Sequence, residues 1–201
     1  TLTGTQAQNT AGKYWITGAG WTISGGTAVA TSVSSGQRLQ QNFSFTNGKS
    51  YKIVLVLSSY TSGRLGLYMG GAYIAQEIIE EKTYTYYHTP TSGSEFFFRV
   101  MDSGTTLSID NVSVKEVGQD WEMNSNAIFT ANGINITTGG FIRQDVLTSG
   151  KSYQLTYDIF SYTSGNIRVY DGTDQGSIPT VLGSNTFNFT AGGSLFYIQA
   201  N

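Results

Sequence analysis

The chain has 201 residues, a formal net charge of −2 and no cysteine. Without cysteine it has neither disulfides nor thiol chemistry, and without clustered basic residues we expect no nucleic-acid-binding surface. Charged residues make up only 12% of the chain and glycine occupies 25 positions, which is typical of β-sandwiches with many tight turns. No apolar run approaches the roughly 18 residues that span a membrane, so we expect no membrane contact.

The first copy of an internal repeat begins with short β elements. Thr1 to Lys13 is polar and weakly patterned, and we expect an entry arm or a first strand there. Trp21 to Ile23 and Ala28 to Ala30 are separated by a Gly-Gly pair, which predicts a short hairpin. The alternation of apolar and polar residues from Leu39 to Phe45 then predicts a half-buried strand.

The repeat itself is marked by the motif Gly-Lys-Ser-Tyr. It occurs at Gly48–Tyr51 and again at Gly150–Tyr153, an offset of 102 residues that also relates the turns ending at Gly63 and Gly165. A constant offset with intact turn residues indicates two copies of one structural unit. We therefore predict two domains, residues 1–117 and 118–201.

Further strands of the first copy follow in chain order. Alternating apolar residues predict strands over residues 52–58, 64–68, 83–89, 96–100 and 107–117. In the last of these, Ile109, Val112 and Val114 break strict alternation by one residue, which predicts a β-bulge at Asp110-Asn111.

The second copy has counterparts of these strands, except the last. The sequence reaches Asn201 where its own closing strand is expected to begin. We expect the natural chain to continue beyond Asn201. The alternatives are a strand donated by a partner, or by Thr1–Lys13 of a neighbouring copy.

Three motifs carry a family resemblance. The closing motif Ser108–Val117 resembles the last strand of carbohydrate-binding modules of families four and nine, and Gly20–Ile23 is similar to their first strands. The linker Val117–Trp121 resembles those of tandem copies in bacteriophage virion proteins. The resemblance implies a jelly-roll sandwich with a concave sugar-binding face, often with a structural calcium held partly by an Asp of the closing strand. Asp110 matches that position, and no other cofactor is expected.

Candidate binding residues lie on the predicted outer faces of the strands. Sugars need planar aromatic surfaces under their C–H faces and polar side chains for their hydroxyl groups. In the second copy we expect sugar contacts from Asp158, Arg168, Tyr170, Tyr197 and Gln199. In the first copy we expect them from Arg64, Tyr68, Phe97 and Arg99. The alternative is that these faces pack on a neighbouring subunit or are ordinary surface.

Catalytic chemistry is poorly represented. His88 is the only histidine, and one histidine without a paired nucleophile makes no triad. Glycoside hydrolysis needs two carboxylates at a defined separation, but the clustered glutamates from Glu77 to Glu95 occur in the first copy only. We predict that the chain is not an enzyme.

The sequence thus predicts an all-β chain of two tandem jelly-roll β-sandwich domains. The leading functional hypothesis is a non-catalytic carbohydrate-binding or adhesion module, located on a virion surface or otherwise extracellular. Its expected partners are a cell-surface glycan and other virion proteins or copies of itself. The alternative is a structural virion protein, a capsid decoration or tail fibre, that uses its sandwiches for protein packing without binding sugar.

Overall fold

The computed structural model describes residues 15–42, 44–118 and 121–201. The entry arm predicted over Thr1–Lys13 lies outside the described residues. The chain divides into two compact units, Thr1–Val117 and Gly118–Asn201. The described residues form antiparallel β-strands joined by turns, so the predicted all-β fold class is confirmed. Within them, no helix is long and apolar enough to cross a membrane.

The first unit contains ten described strands. In chain order they are β1 (Trp15–Thr17), β2 (Trp21–Ser24), β3 (Thr27–Val33), β4 (Arg38–Asn42), β5 (Ser50–Ser62), β6 (Leu65–Met69), β7 (Ala72–Ile78), β8 (Lys82–His88), β9 (Glu95–Val100) and β10 (Thr105–Val117).

These strands form the two sheets of a jelly-roll sandwich. Sheet A has the order β1-β4-β9-β6-β7, and sheet B has the order β2-β3-β10-β5-β8. Apolar side chains from both sheets fill the space between them, and Leu39, Ile53, Leu67, Phe96 and Phe98 are fully buried. Each sheet therefore has an inner face on the core and an outer face.

The closing strand β10 has the predicted bulge. Its pairing with β5 shifts register between Asp110 and Ser113, and Asn111 has a positive φ of 50°. The extra residue turns Val112 back toward the core, against which it packs. The broken alternation in the sequence thus marks a real β-bulge.

The second unit contains nine described strands. They are β11 (Glu122–Met123), β12 (Ala127–Thr130), β13 (Gly133–Ile136), β14 (Phe141–Asp145), β15 (Ser152–Ile159), β16 (Ile167–Tyr170), β17 (Asp174–Ser177), β18 (Gly183–Thr190) and β19 (Leu195–Ala200).

The sheets of the second unit follow those of the first, strand for strand, with one exception. Sheet C has the order β11-β14-β19-β16-β17, which corresponds to sheet A. The strands that correspond to sheet B form two separate pairs, β12-β13 and β15-β18. In sheet B, β10 lies between β3 and β5 and joins the two halves. The second unit has no counterpart of β10 among its described strands.

The repeated Gly-Lys-Ser-Tyr motif starts equivalent strands, β5 and β15, as predicted. Gly48 and Gly150 both have positive φ, at 83° and 79°, which suits glycine. The Tyr51 hydroxyl accepts the backbone N–H of Thr46 at 2.8 Å, and Tyr153 does the same for the N–H of Thr148 at 2.8 Å. The motif therefore forms a turn, and the tyrosine hydrogen bond fixes the conformation in which the chain enters this strand.

The two equivalent strands differ where β10 is their neighbour. β5 extends for 13 residues to Ser62, and its last part pairs with β10. β15 ends after 8 residues at Ile159. The inward side chains of β5 are buried, but their counterparts in β15 are only half-buried: Tyr153, Leu155, Tyr157 and Ile159. Because no described strand lies between its halves, the β13 and β15 edges have no strand partner there among the described residues, and the core beneath them is thinly covered.

We expect the second unit to be stabilised when a strand is supplied to this gap. The chain would be extended after Asn201 with a second copy of the sequence Asp102–Val117. Fully burying an apolar side chain is worth roughly 1.5–3 kcal/mol, so calorimetry should show a melting temperature at least about 4 °C higher.

The matched control carries the same extension with serine in place of Leu107, Ile109, Val112 and Val114 in the added copy. It retains the backbone donors and acceptors but not the apolar side chains. Equal melting temperatures for the two extended chains would contradict the expectation. Hydrogen exchange should also slow at the β13 and β15 edges with the apolar extension only.

Candidate functional site

The outer faces of sheets A and C carry aromatic and guanidinium groups in register. Residues that are directly paired in an antiparallel sheet project to the same side. In β9, Phe96 and Phe98 point into the core, so Phe97 and Arg99 project to the outer face of sheet A. The same alternation in β19 places Tyr197 and Gln199 on the outer face of sheet C, because Phe196 and Ile198 belong to the core.

Three rings form an aromatic row on sheet A. Phe97 is directly paired with Tyr68, which is paired with Tyr73. Tyr68 stacks on Phe97 with ring centroids 4.5 Å apart and planes within 9°, and Tyr73 meets Tyr68 edge-on at 5.2 Å. Phe97 is only 2% exposed. Phe97 therefore offers almost no surface to a ligand, and the half-buried rings of Tyr68 and Tyr73 are the accessible ones.

Two arginines flank this aromatic row. The Cζ atom of Arg38 lies 4.1 Å from the centroid of the Phe97 ring, within the range of a cation–π interaction. Arg38 also lies 3.9 Å from Glu95. Arg99 donates from Nη1 to the Tyr73 hydroxyl at 3.1 Å. The face therefore offers ring surfaces together with hydrogen-bond donors.

Arg64, also predicted to contact sugar, is engaged elsewhere. It lies just before β6 and makes a two-pronged ion pair with Asp102, Nε to Oδ2 at 2.8 Å and Nη2 to Oδ1 at 2.9 Å. Glu77 approaches to 3.7 Å. The hydrogen bond with Asp102 raises the pKa of Arg64 and lowers the pKa of Asp102. Arg64 thus ties the start of β6 to the loop after β9 and is not part of the aromatic row.

Sheet C carries an equivalent row in the second unit. Tyr170 is directly paired with Tyr197, as Tyr68 is with Phe97. Phe141 stacks on Tyr197 at 5.1 Å, and Tyr170 meets Tyr197 edge-on at 5.6 Å. Gln199 and Arg168 are paired beside this row. The structure thus brings together four of the five residues predicted for the second copy.

The arginines of sheet C are paired with carboxylates. Arg143 is hydrogen-bonded to Glu122 at 2.5 Å, and Arg168 forms an ion pair with Asp174. These hydrogen bonds raise the pKa of both arginines, and the bond from Arg168 lowers the pKa of Asp174. The carboxylates of Glu122 and Asp174 therefore largely neutralise the positive charge on this face.

The placement of Asp158 with these residues was wrong. Asp158 is an exposed residue of β15, which pairs with β18 in the other sheet. The chain crosses from one sheet to the other between Ile159 and Ile167, so continued alternation does not keep residues on one face. Asp158 lies on the outer face of the β15-β18 pair and not on sheet C.

Phe141 and Arg143 were not predicted for this site. They occupy β14, where Ile142 between them is buried. They correspond to Arg38 and Gln40 of β4, since Arg38 pairs with Arg99 and Phe141 with Gln199. The alternation around Ile142 was the signal that could have identified them.

A surface depression of the second unit lies outside these faces. An open depression of about 440 Å³ lies along β15 and β18, lined by Ser152, Tyr153, Gln154, Asn188, Phe189 and Thr190. None of these residues belongs to sheet A or sheet C. The candidate site is the aromatic surface on the outer faces of sheets A and C.

His88 has a structural environment. It is half-buried at the end of β8, and its Nε2 atom lies 3.0 Å from the carbonyl oxygen of Met69. Burial lowers the pKa of His88. This hydrogen bond holds β8 against the end of β6 and accounts for the residue without catalysis.

A buried carboxylate that the sequence did not reveal supports the end of sheet C. Asp171 is fully buried after β16 and accepts hydrogen bonds from the Thr173 hydroxyl at 2.7 Å, the Gln175 amide at 3.0 Å and the Gly192 N–H at 2.8 Å. Burial opposes ionisation, but the donors together leave the pKa of Asp171 below its ordinary value. The carboxylate thus joins the β16-β17 turn to the loop before β19.

We expect Asp171→Ala to destabilise the second unit by about 1–3 kcal/mol, because it leaves buried donors without an acceptor. Asp171→Asn isolates the role of the charge. Since the folded pKa is depressed, the ionised carboxylate stabilises the fold above about pH 4, and this is lost as pH falls through the folded pKa.

Thermal melting from pH 7 to pH 3 tests both expectations. The difference in melting temperature between the native chain and Asp171→Asn should be largest near neutral pH and should shrink in acid. A difference that does not change with pH would contradict the role of the charge.

The calcium expected at Asp110 stays a prediction. Asp110 lies at the bulge of β10, and its Oδ1 atom accepts the backbone N–H of Asn111 at 2.6 Å. Calcium takes six to eight oxygen ligands. Among the described residues, no group of three or more His, Cys, Asp or Glu side chains comes together to hold a metal. The described side chains around Asp110 therefore do not form a carboxylate-rich calcium site.

A chelator tests this prediction. If calcium is bound at Asp110, EGTA should lower the melting temperature of the first unit and added calcium should restore it. Asp110→Asn should remove that response. An unchanged melting temperature in EGTA would rule out a structural calcium.

Comparison with solved structures gave distant likenesses, two of which are described below. No family model matches the sequence, and no curated protein matches it. A solved structure of the mannan-binding module from Man5C is 19% identical with a TM-score of 0.43, covering 56% of this chain and all of that one. The CBM22-1-CBM22-2 tandem domain of Paenibacillus barcinonensis Xyn10C is 11% identical with a TM-score of 0.32, covering 98% of this chain and 92% of that one. Both are too distant to carry an argument about ligands.

Proposed function

We propose that the chain is a non-catalytic carbohydrate-binding protein that holds sugar on the outer faces of sheets A and C. One observation carries this proposal. Both units place a tyrosine directly opposite a second aromatic ring on the two neighbouring strands, Tyr68 with Phe97 and Tyr170 with Tyr197. The side chains beside these pairs are arginines and glutamines, which can donate hydrogen bonds to sugar hydroxyls.

The position of these rings suits sugar binding physically. Tyrosine supplies a large flat surface with few rotatable bonds, so little conformational entropy is lost when a ligand stacks on it. The rings are held by cross-strand ring contacts, stacked in sheet A and edge-on in sheet C, on strands from the middle of complete five-stranded sheets. A rigid surface of this kind is pre-organised for its ligand.

The carboxylates beside the rings favour binding over catalysis. A glycosidase needs one carboxyl group with a raised pKa to act as a general acid. Asp174, beside the sheet C row, is ion-paired with Arg168, which lowers its pKa. Glu122 is likewise bound to Arg143. Carboxylates used in this way hold arginines in place instead of transferring protons.

The setting we propose is adhesion at a virion or cell surface, with a cell-surface glycan as ligand and other virion proteins or further copies as neighbours. Two copies of one binding unit suit this role, because linked sites gain avidity when a surface presents many equal ligands. The proposal does not involve nucleic acid or a membrane.

A structural role is the second candidate. The second unit exposes large apolar side chains away from sheet C: Phe160 at 71%, Val181 at 70% and Leu182 at 64%. Contact with another protein would remove these side chains from water. In this alternative the sandwiches pack against capsid or fibre partners and sheets A and C bind no sugar.

We expect Tyr170→Ala to weaken glycan binding by more than about 1 kcal/mol, because truncating an aromatic anchor removes the stacking surface. The ligand would first be identified on a glycan array with the full chain, and affinity would then be measured by calorimetry. Melting should change little, since Tyr170 is on the outer face.

Thr156→Ala is the matched control, because Thr156 is exposed on β15 of the other sheet. It should bind as the native chain does. Array binding that survives Tyr68→Ala and Tyr170→Ala together would place the sugar elsewhere, and no binding on any array would favour the structural role.

A further inference from the structure

Two arginines of the first unit lie directly opposite each other on the outer face of sheet A. Arg38 of β4 is the cross-strand partner of Arg99 of β9. Like charges in directly opposed positions destabilise a sheet. Arg38 reaches over the Phe97 ring toward Glu95, whereas Arg99 turns toward the hydroxyl of Tyr73. The fold thus keeps two cations in a pairing that is unfavourable by itself.

Arg99 differs from the other arginines of these faces. Arg64, Arg143 and Arg168 each have a carboxylate within hydrogen-bonding range. Within the described part of the chain, Arg99 has one side-chain partner, the neutral Tyr73 hydroxyl. A guanidinium carries five N–H donors arranged as a fork. Several donors of Arg99 are therefore available to a ligand.

The next residue in the same cross-strand row is a glycine. Gly66 of β6 is directly paired with Arg99, and its φ is not positive, so the backbone does not require glycine there. A Cβ atom at this position would lie 3.1 Å from the Met101 sulfur and 3.2 Å from the Tyr73 ring. Glycine within a strand often marks close approach of another group. Here it makes room for the Met101 side chain and the Tyr73 ring, which lie over Gly66, and the hydroxyl of that ring accepts from Arg99.

We propose that sheet A binds a sugar that carries a carboxylate, with Arg99 as the residue that holds the carboxylate. This inference rests on the proposed function and names its ligand class. The Arg99 fork matches the two oxygens of a carboxylate. Arg38 adds positive charge from the facing strand, and the Tyr68 and Tyr73 rings supply the stacking surface for the sugar. An anionic ligand bound beside the two opposed arginines would reduce their mutual repulsion, and this favours its binding.

Sheet C supplies an internal comparison. The counterparts of Arg99 and Gly66 are Gln199 and Arg168, so the positive charge moves to the neighbouring strand and the glycine is lost. Arg168 is ion-paired with Asp174. Sheet C therefore has neither two opposed arginines nor a guanidinium without a carboxylate partner among its described arginines. We expect it to prefer an uncharged sugar.

The test compares a uronic-acid oligosaccharide with the same oligosaccharide after its carboxyl groups are reduced to hydroxymethyl groups. Calorimetry with the full chain should show binding at sheet A that weakens at least tenfold on reduction, which corresponds to about 1.4 kcal/mol. Binding of the acidic form should also weaken as salt rises. A sulfated analogue of the reduced oligosaccharide tests whether sheet A recognises the carboxylate group itself or any negative charge.

Arg99→Gln introduces the residue that sheet C carries at this position. It should abolish the preference for the acidic form and should not lower the melting temperature, because it removes the repulsion from Arg38. Arg99→Lys keeps the charge but loses the fork, so it should bind the acidic form less well than the native chain. Lys115→Gln removes one exposed charge from β10 of sheet B and should leave binding unchanged.

The outcomes separate this inference from the proposed function. Equal affinity for the acidic and reduced forms overturns the inference but leaves sugar binding intact. Equal affinity for the carboxylated and sulfated forms overturns the assignment to a carboxylate. Failure to bind any sugar, acidic or neutral, overturns both proposals.

Discussion

The pairing of β10 with both β3 and β5 is the interaction on which the rest of the sandwich depends. In the first unit it joins the two halves of sheet B, lengthens β5 to Ser62 and places Leu107, Ile109 and Val112 against the core. In the second unit no described strand does this, and the inward residues of β15 stay half-buried. The equivalent strands β5 and β15 therefore lie in a closed core in one unit and an open one in the other. The difference accompanies the pairing of β5 with β10, which β15 lacks among the described strands.

The candidate sites do not depend on this pairing. Sheets A and C each have five strands in the same order, and neither contains β10 or a counterpart of it. The rows at Tyr68 and Tyr170 are held by cross-strand contacts within their own sheets. The fold thus separates two tasks, since one sheet closes the core and the other presents the surface proposed to bind sugar. A unit whose second sheet is open still displays a complete outer face on its first.

Features with a short sequence period were predictable, and features made by distant residues were not. The alternation and the constant offset identified most strands of the first unit, though not β1 or β7, together with the repeat and the bulge at Asp110, and they placed Tyr68, Tyr170 and Tyr197 outward. They did not show that consecutive strands of a jelly roll change sheets, which is why Asp158 was grouped wrongly. Contacts between strands far apart in sequence were also invisible. These include the stacking of Phe141 on Tyr197, the opposed arginines and the buried acceptor at Asp171.

The two outer faces show how a repeat can keep a fold and change its chemistry. Both retain a tyrosine opposite an aromatic ring, so the stacking surface is common to both. Arg99 and Gly66 in one unit become Gln199 and Arg168 in the other, a change confined to one cross-strand row. Because Arg168 meets Asp174 while Arg99 meets only Tyr73 among its described side-chain partners, the two faces present different electrostatic fields on nearly the same frame. Outward positions of a paired strand can vary in this way since the inward positions alone hold the core.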